Sequence, residues 1–253
     1  MSVIADGVDE IRRAAREELR KGAAQIKIFA SGGVVFPAEG HATRHEFSDA
    51  ELRAAMEAAA ARGTYVMAHV DTDEGVRRCL AAGVRSIEHA SFVSEETVAM
   101  IGAAGAFLLP TFISLVQRVE SATTHSPAPA IVANLQRSIA RGRQVDAWAR
   151  KHGVSIGLDT ELWGRRRSAR SCANSRCAAT WTRLRPSCAR PPPPMPSVLM
   201  HAGRLGTLAE GACADLLVVE CDPLSDIGVL LDPQRNLKFI MKGGVVYKNE
   251  LPA

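Results

Sequence analysis

Lys27, His69, His89 and Asp159 each close a short apolar run: AQIKIFASGG, TYVMAHV, VRSIEHAS and VSIGLDT. A lysine nitrogen, two imidazoles and a carboxylate at the ends of successive strand-like runs form a set with definite chemistry. Neutral imidazole is the commonest ligand for zinc-type metals, and a carboxylate beside a metal-activated water can accept its proton. Plainer roles exist for each residue taken singly. A strand-interior lysine can snorkel to the rim or pair with an acid, a strand-end histidine can be a hydrogen-bonded structural residue, and Asp159 can cap a turn or helix. Their occurrence together favours the metal reading. His41, His45, His125, His152 and His201 fall in loops or at helix ends, where a solvated role is expected.

These four positions need a scaffold that aligns strand ends, and the rest of the chain reads as one. DGVDEIRRAAREELRKG (6–22) places Val8, Ile11, Ala15 and Leu19 on one helical stripe, and Gly22 stops it. AQIKIFA follows as a buried strand, then a Ser31-Gly32-Gly33 turn. Ser48-Asp-Ala-Glu51 is a capping box, with Phe47 placed as a staple residue, and opens a helix that ends at Gly63. TYVMAHV, VRSIEHA and AFLLPTF read as further strands, separated by helices that end at Gly83 and Gly105. After the polar loop ESATTHSPAPA, a long helix (131–153) leads to the strand VSIGLD. Strand and helix alternate about every 20 residues, which predicts a parallel sheet of βαβ units. Five strands are too few to close an eight-stranded barrel, so the fold class is α/β, a partial (β/α) TIM-type barrel. In such barrels the strands' C-terminal ends carry the active site.

The pattern breaks after Asp159. ELWGRRRSARSCANSRCAATWTRLRPSCARPPPPMPSV lacks both helical and strand periodicity and contains the proline run Pro191–Pro194. Residues 161–200 hold eight arginines and a single acidic residue, more than the chain's whole formal charge of +4, so the remainder is acidic. This locates the basic balance in one segment and argues against a nucleic-acid partner for the protein as a whole. An RNA-binding tail and a disordered Pro-rich tract are alternatives for the segment. The favoured reading is a frame-shifted stretch of a GC-rich gene, because Arg, Pro, Ala, Cys and Ser have GC-rich codons. From Gly206 the chain turns to β-structure, with Gly243-Gly244 between two apolar runs signalling a hairpin. The expected organisation is a barrel part at 1–160, an aberrant segment at 161–200 and a C-terminal β module at 201–253.

Several classes are excluded or unsupported. No apolar run reaches the length of a membrane span. MSVIADGVDEIRR is not a secretory signal, so a cytoplasmic location is expected. The six cysteines (79, 172, 177, 188, 213 and 221) match no zinc-ribbon spacing and are expected as free thiols. No G-x-x-x-x-G-K-[ST] or G-x-G-x-x-G phosphate motif occurs.

IKIFASGG, AHV, SIEHAS and GLDT, in this order, together with GTLAEGACADLLVVECDPL and FIMKGGVVYK, resemble the metal-dependent amidohydrolase superfamily. The likeness is to its imidazolonepropionase-like and Xaa-Pro dipeptidase-like branch. It covers most of residues 6–160 and 203–250. It implies a barrel with one or two divalent metals, usually zinc, and a remnant of a small β-sandwich. Lys27, carbamylated, would bridge two metals, His69 and His89 would be the imidazole ligands, and Asp159 would bind metal and take the water's proton. It also implies hydrolysis of an amide or peptide C–N bond in a small substrate, a dipeptide or a cyclic amide. The chain departs from that pattern in three ways. It has no His-x-His pair, it carries Asp71 where a His or Tyr commonly stands, and the segment after Asp159 is unlike a substrate loop. The competing expectation is therefore an inactive, N-terminally truncated fragment that holds metal weakly or not at all.

Overall fold

The structure, a computed structural model, describes residues 2–34, 43–111, 114–116, 118–119, 129–157, 195–223, 225, 229–230 and 232–252. Two compact units divide the chain, residues 1–159 and 160–253.

The first unit is built around five parallel strands in the order β1-β2-β3-β4-β5: Ile26–Phe29, Val66–Val70, Ser86–His89, Phe107–Leu109 and Ser155–Ile156. Helices α1 (Val8–Arg20), α2 (Asp49–Ala60), α3 (Asp73–Ala82), α4 (Glu95–Ala103) and α5 (Pro129–Lys151) alternate with them. The expected βαβ alternation is thus present, and among the described residues β1 and β5 are the outer strands of the sheet.

Local chemistry sets the helix starts. Ser48 Oγ accepts the Glu51 N–H at 3.3 Å while the Glu51 carboxylate accepts the Ser48 N–H at 2.8 Å, completing the capping box. The same carboxylate accepts the Gly7 N–H at 2.8 Å, which ties the start of α1 to the start of α2. Thr72 and Ser94 cap α3 and α4, and Gly83 closes α3 in the left-handed region.

Strand alternation assigns the two faces of the sheet. Ile26, Ile28, Val66, Ala68, Val70, Ile87 and Leu108 are buried and join Ala55, Ala59, Val98, Ile101 and Val145 of the helices in one core. By register, Lys27, Phe29, Met67, His69, Ser86 and Glu88 occupy the opposite face, which in a closed barrel is the interior. At the β1 edge Phe29 is 53% exposed, because no further strand pairs there among the described residues.

Helix α5 buries a carboxylate. Asp146 Oδ2 accepts from Arg150 Nε at 3.0 Å, yet burial outweighs this contact and raises the Asp146 pKa. A carboxyl whose folded pKa is raised stabilises the fold fully below its unfolded pKa and loses that contribution as pH rises through the folded value. Asp146→Asn is therefore expected to match the parent chain near about pH 3 and to gain stability relative to it towards about pH 7. Thermal melts across that range test the sign.

The second unit contains an antiparallel sheet, β6 (Leu216–Val219), β7 (Leu237–Lys242) and β8 (Val245–Asn249), in that spatial order. Gly243 and Gly244, at φ 55° and 81°, join β7 to β8 as the expected hairpin turn, in which both central residues need positive φ. Asp215 Oδ1 accepts the Gly243 N–H at 2.7 Å and fixes the turn. Helix α7 (Pro233–Asn236) starts at a capping Asp232 with proline in its first turn.

Most of the aperiodic segment, residues 161–194, lies outside the described residues. Its last part differs from the expectation of no regular structure: Met195–Val198 form one helical turn, α6. Pro196 is compatible with it because a helix's first turn has no use for its N–H.

Candidate metal and active site

Three of the four residues singled out in the sequence lie on neighbouring strands: His69 and His89 at the C-terminal ends of β2 and β3, and Lys27 further back, as the second residue of β1. Lys27 and His69 share the interior face through the pairs Lys27↔Met67 and Phe29↔His69. His89 stands opposite Val70, a position that strict alternation turns towards the helices. The chain escapes this by taking φ 73° at His89 and φ 51° at Ala90, a left-handed excursion rare for residues with a Cβ. The His89 ring then lies edge-on to that of His69, with centroids 4.4 Å apart. The Phe29 ring also packs against His69, tilted by 36° with centroids 5.0 Å apart. Asp159 lies outside the described residues.

His89 is almost wholly enclosed, and its Nδ1 lies 2.5 Å from Thr111 Oγ1. Burial, with the nearby Lys27 and Arg118 cations and the neighbouring His69 ring adding to it and Asp71 opposing it, pushes its pKa down to about 3. It is therefore a neutral imidazole, the form that ligates metal. The Thr111 hydroxyl can donate or accept, so this contact orients the His89 ring through Nδ1 without deciding which nitrogen carries the proton.

Two buried carboxylates complete the neighbourhood. Neither was assigned a role from the sequence, although Asp71 was noted as a departure from the resembled pattern. Glu88, 1% exposed, faces the Lys27 ammonium at 3.9 Å and accepts from Ser86 Oγ at 2.6 Å. The available signal was a carboxylate inside the apolar strand VRSIEHA. Asp71, fully buried, lies with Oδ2 3.6 Å from His69 Nε2 and accepts the Ser91 N–H on Oδ1 at 3.1 Å. The Asp71 N–H is directed at Ser31 Oγ at 3.3 Å, and its carbonyl accepts the Phe92 N–H at 2.8 Å. The loops after β1, β2 and β3 are stitched together at this one residue.

As a donor set, two imidazoles with engaged partners and a lysine nitrogen on one sheet face fit a divalent ion in type. Among the described residues, no group of three or more His, Cys, Asp or Glu side chains is arranged to hold a metal. Lys27 is held by an acid, the alternative the sequence left open for it. His45 and His152 pair with Glu74 and Glu95 on the surface, as expected for histidines outside the site. Cys79, Cys213 and Cys221 are free thiols.

A parallel βα sheet of this kind is part of a (β/α) barrel-type fold. Residues 1–179 match the amidohydrolase family, and the chain belongs to that family. It is 32% identical over 248 residues to the ochratoxinase of Aspergillus niger, an alignment covering 97% of this chain and 50% of that one. It superposes on a prolidase complexed with N-methylphosphonate-L-proline with a TM-score of 0.84 and 32% identity, over 98% of this chain and 60% of the other. A Xaa-Pro dipeptidase with methionine bound in its active site gives a TM-score of 0.72 and 26% identity, over 97% of this chain and 59% of that one. The chain spans about half the length of the curated relatives it matches. No helix among the described residues is long and apolar enough to cross a membrane.

Proposed function

We propose that this chain carries the metal-binding part of an amidohydrolase that cleaves the amide C–N bond of a small substrate, a dipeptide with proline as one candidate residue or a cyclic amide. The observation that carries this reading is the pair of imidazoles His69 and His89, 4.4 Å apart on adjacent strand ends, in a member of the amidohydrolase family. The prolidase and dipeptidase neighbours support the substrate class. In this reading Lys27, His69, His89 and Asp159 hold one or two divalent ions, with zinc the first candidate. Such an ion supplies polarisation of the amide carbonyl and a water of lowered pKa. Burial keeps His89 neutral and so ready to ligate. Asp159 accepts the proton of the attacking water and returns it to the departing nitrogen. Lys27 joins as a carbamate only by giving up its pairing with Glu88. The barrel part at 1–160 bears the site, and the β module at 201–253 flanks it in sequence.

A second reading is favoured by that same ion pair: Lys27 stays an ammonium opposite Glu88, and the chain keeps the fold without holding metal. One experiment separates the two. Purified full-length chain, dialysed against zinc and analysed for metal, is expected to retain at least one equivalent and to hydrolyse Xaa-Pro dipeptides. Metal-free protein with a native-like spectrum and no hydrolysis selects the second reading.

A further inference from the structure

We propose that Asp71 is a positioning residue for His89: it clamps the backbone just beyond that residue and so enforces the left-handed turn that brings the ring to the interior face. The turn is costly. The Ala90 N–H donates to the Val70 carbonyl at 3.0 Å, continuing the β2–β3 ladder, and also to the Glu88 carbonyl at 3.1 Å. The second bond closes over His89 alone, at φ 73°, and marks the rare, strained class of γ-turn. Ala90 follows at φ 51°, a region its Cβ disfavours. An extended path through both residues would relieve this, and it would turn His89 towards the helices.

Asp71 holds the turn from the next residues on. In a regular parallel ladder the donor after Ala90 would be the Phe92 N–H, bonded to the Thr72 carbonyl two residues beyond Val70. Instead the Phe92 N–H reaches the Asp71 carbonyl, at 2.8 Å, and the Ser91 N–H is taken by Asp71 Oδ1 at 3.1 Å. The chain after β3 is thus drawn back by one residue, and the left-handed pair His89-Ala90 takes up the slack. Asp71 cannot follow a relaxing loop, because it is completely buried and its own N–H is directed at Ser31 Oγ at 3.3 Å. Straightening the turn would leave the buried Ser91 N–H and Asp71 Oδ1 unpaired, a loss that offsets the strain. The consequence for metal binding rests on the function proposed above. The turn itself does not, since it belongs to the metal-free chain.

The test is NMR on the metal-free, isotope-labelled full chain. Strong HN–Hα NOEs within His89 and within Ala90 mark the positive φ, and NOEs between the His69 and His89 rings mark the ring placement. Asp71→Ala is expected to lose both signatures and to weaken zinc affinity by about 10–100-fold. Asp71→Asn keeps an Oδ1 acceptor for Ser91 while removing the charge that faces His69, and is expected to retain both. Ala90→Gly lowers the cost of the left-handed turn and is expected to recover part of the loss when combined with Asp71→Ala. Positive φ at both residues in Asp71→Ala overturns the proposal, and so does loss of the turn in Asp71→Asn. If Asp71→Ala does not fold, the Asp71→Ala/Ala90→Gly variant decides: a native spectrum upholds the clamp, and continued unfolding overturns it. The expected turn behaviour in a chain that binds no zinc would uphold this inference and sink the metal reading instead.

Discussion

Replacing His89 with alanine is expected to abolish zinc retention and to lower amide hydrolysis by more than about 100-fold, since altering even the residues that support a ligand costs about 10–100-fold. His89 is buried, held neutral down to about pH 3, and fixed through Nδ1 by Thr111. Truncation removes one of the two imidazoles that the described residues gather at the strand ends. Loss of the Thr111 contact costs about 1 kcal/mol of stability, so the variant should fold and its failure should be chemical. His152→Ala serves as control, because His152 lies outside the site and contacts Glu95. Equal zinc content in His89→Ala and the parent chain would remove His89 from the site. Metal analysis alongside dipeptide hydrolysis reads both effects.

Much of this scaffold was legible because periodicity reports burial. The stripe Ile11, Ala15 and Leu19 is the buried side of α1, and the Ser48–Glu51 capping box forms where its spacing placed it. Glycine stops and the Gly-Gly hairpin were equally readable, since positive φ at those points leaves little choice of residue. The lengths of the last strands were not. Among the described residues, AFLLPTF yields Phe107–Leu109 and VSIGLD yields Ser155–Ile156. Apolar runs mark what is buried, whereas strand length depends on how far a neighbouring strand continues the ladder.

The site was half legible for a related reason. Residue type and strand-end position picked out Lys27, His69 and His89, but not the acids that face them. Lys27 and Glu88 are far apart in sequence and meet through the register that pairs β1 with β2 and β2 with β3. Alternation alone would have sent His89 to the helix side, and only its positive φ brings it back. Such contacts are set by tertiary geometry, which one-dimensional patterning does not encode.

The Lys27–Glu88 contact yields the second large effect. Glu88→Leu removes the carboxylate that faces the ammonium while nearly conserving volume, and is expected to destabilise the chain by about 1–3 kcal/mol. The full 3–5 kcal/mol typical of a broken buried pair does not apply, because the Lys27 side chain is 27% exposed and partly solvated. The double variant Lys27→Met/Glu88→Leu is expected to recover most of that loss, since exchanging a whole buried pair for apolar residues is often neutral or stabilising. The Ser86 hydroxyl loses its acceptor in both variants, so the difference between them isolates the ammonium. Denaturant melts of the parent, both single variants and the double variant close the cycle. Additive single effects would mean that the 3.9 Å contact carries no coupling and that Lys27 is already available for the carbamate the metal reading requires. Strong coupling would mean that Glu88 holds Lys27 as an ammonium, and that loading the site must first break this pair.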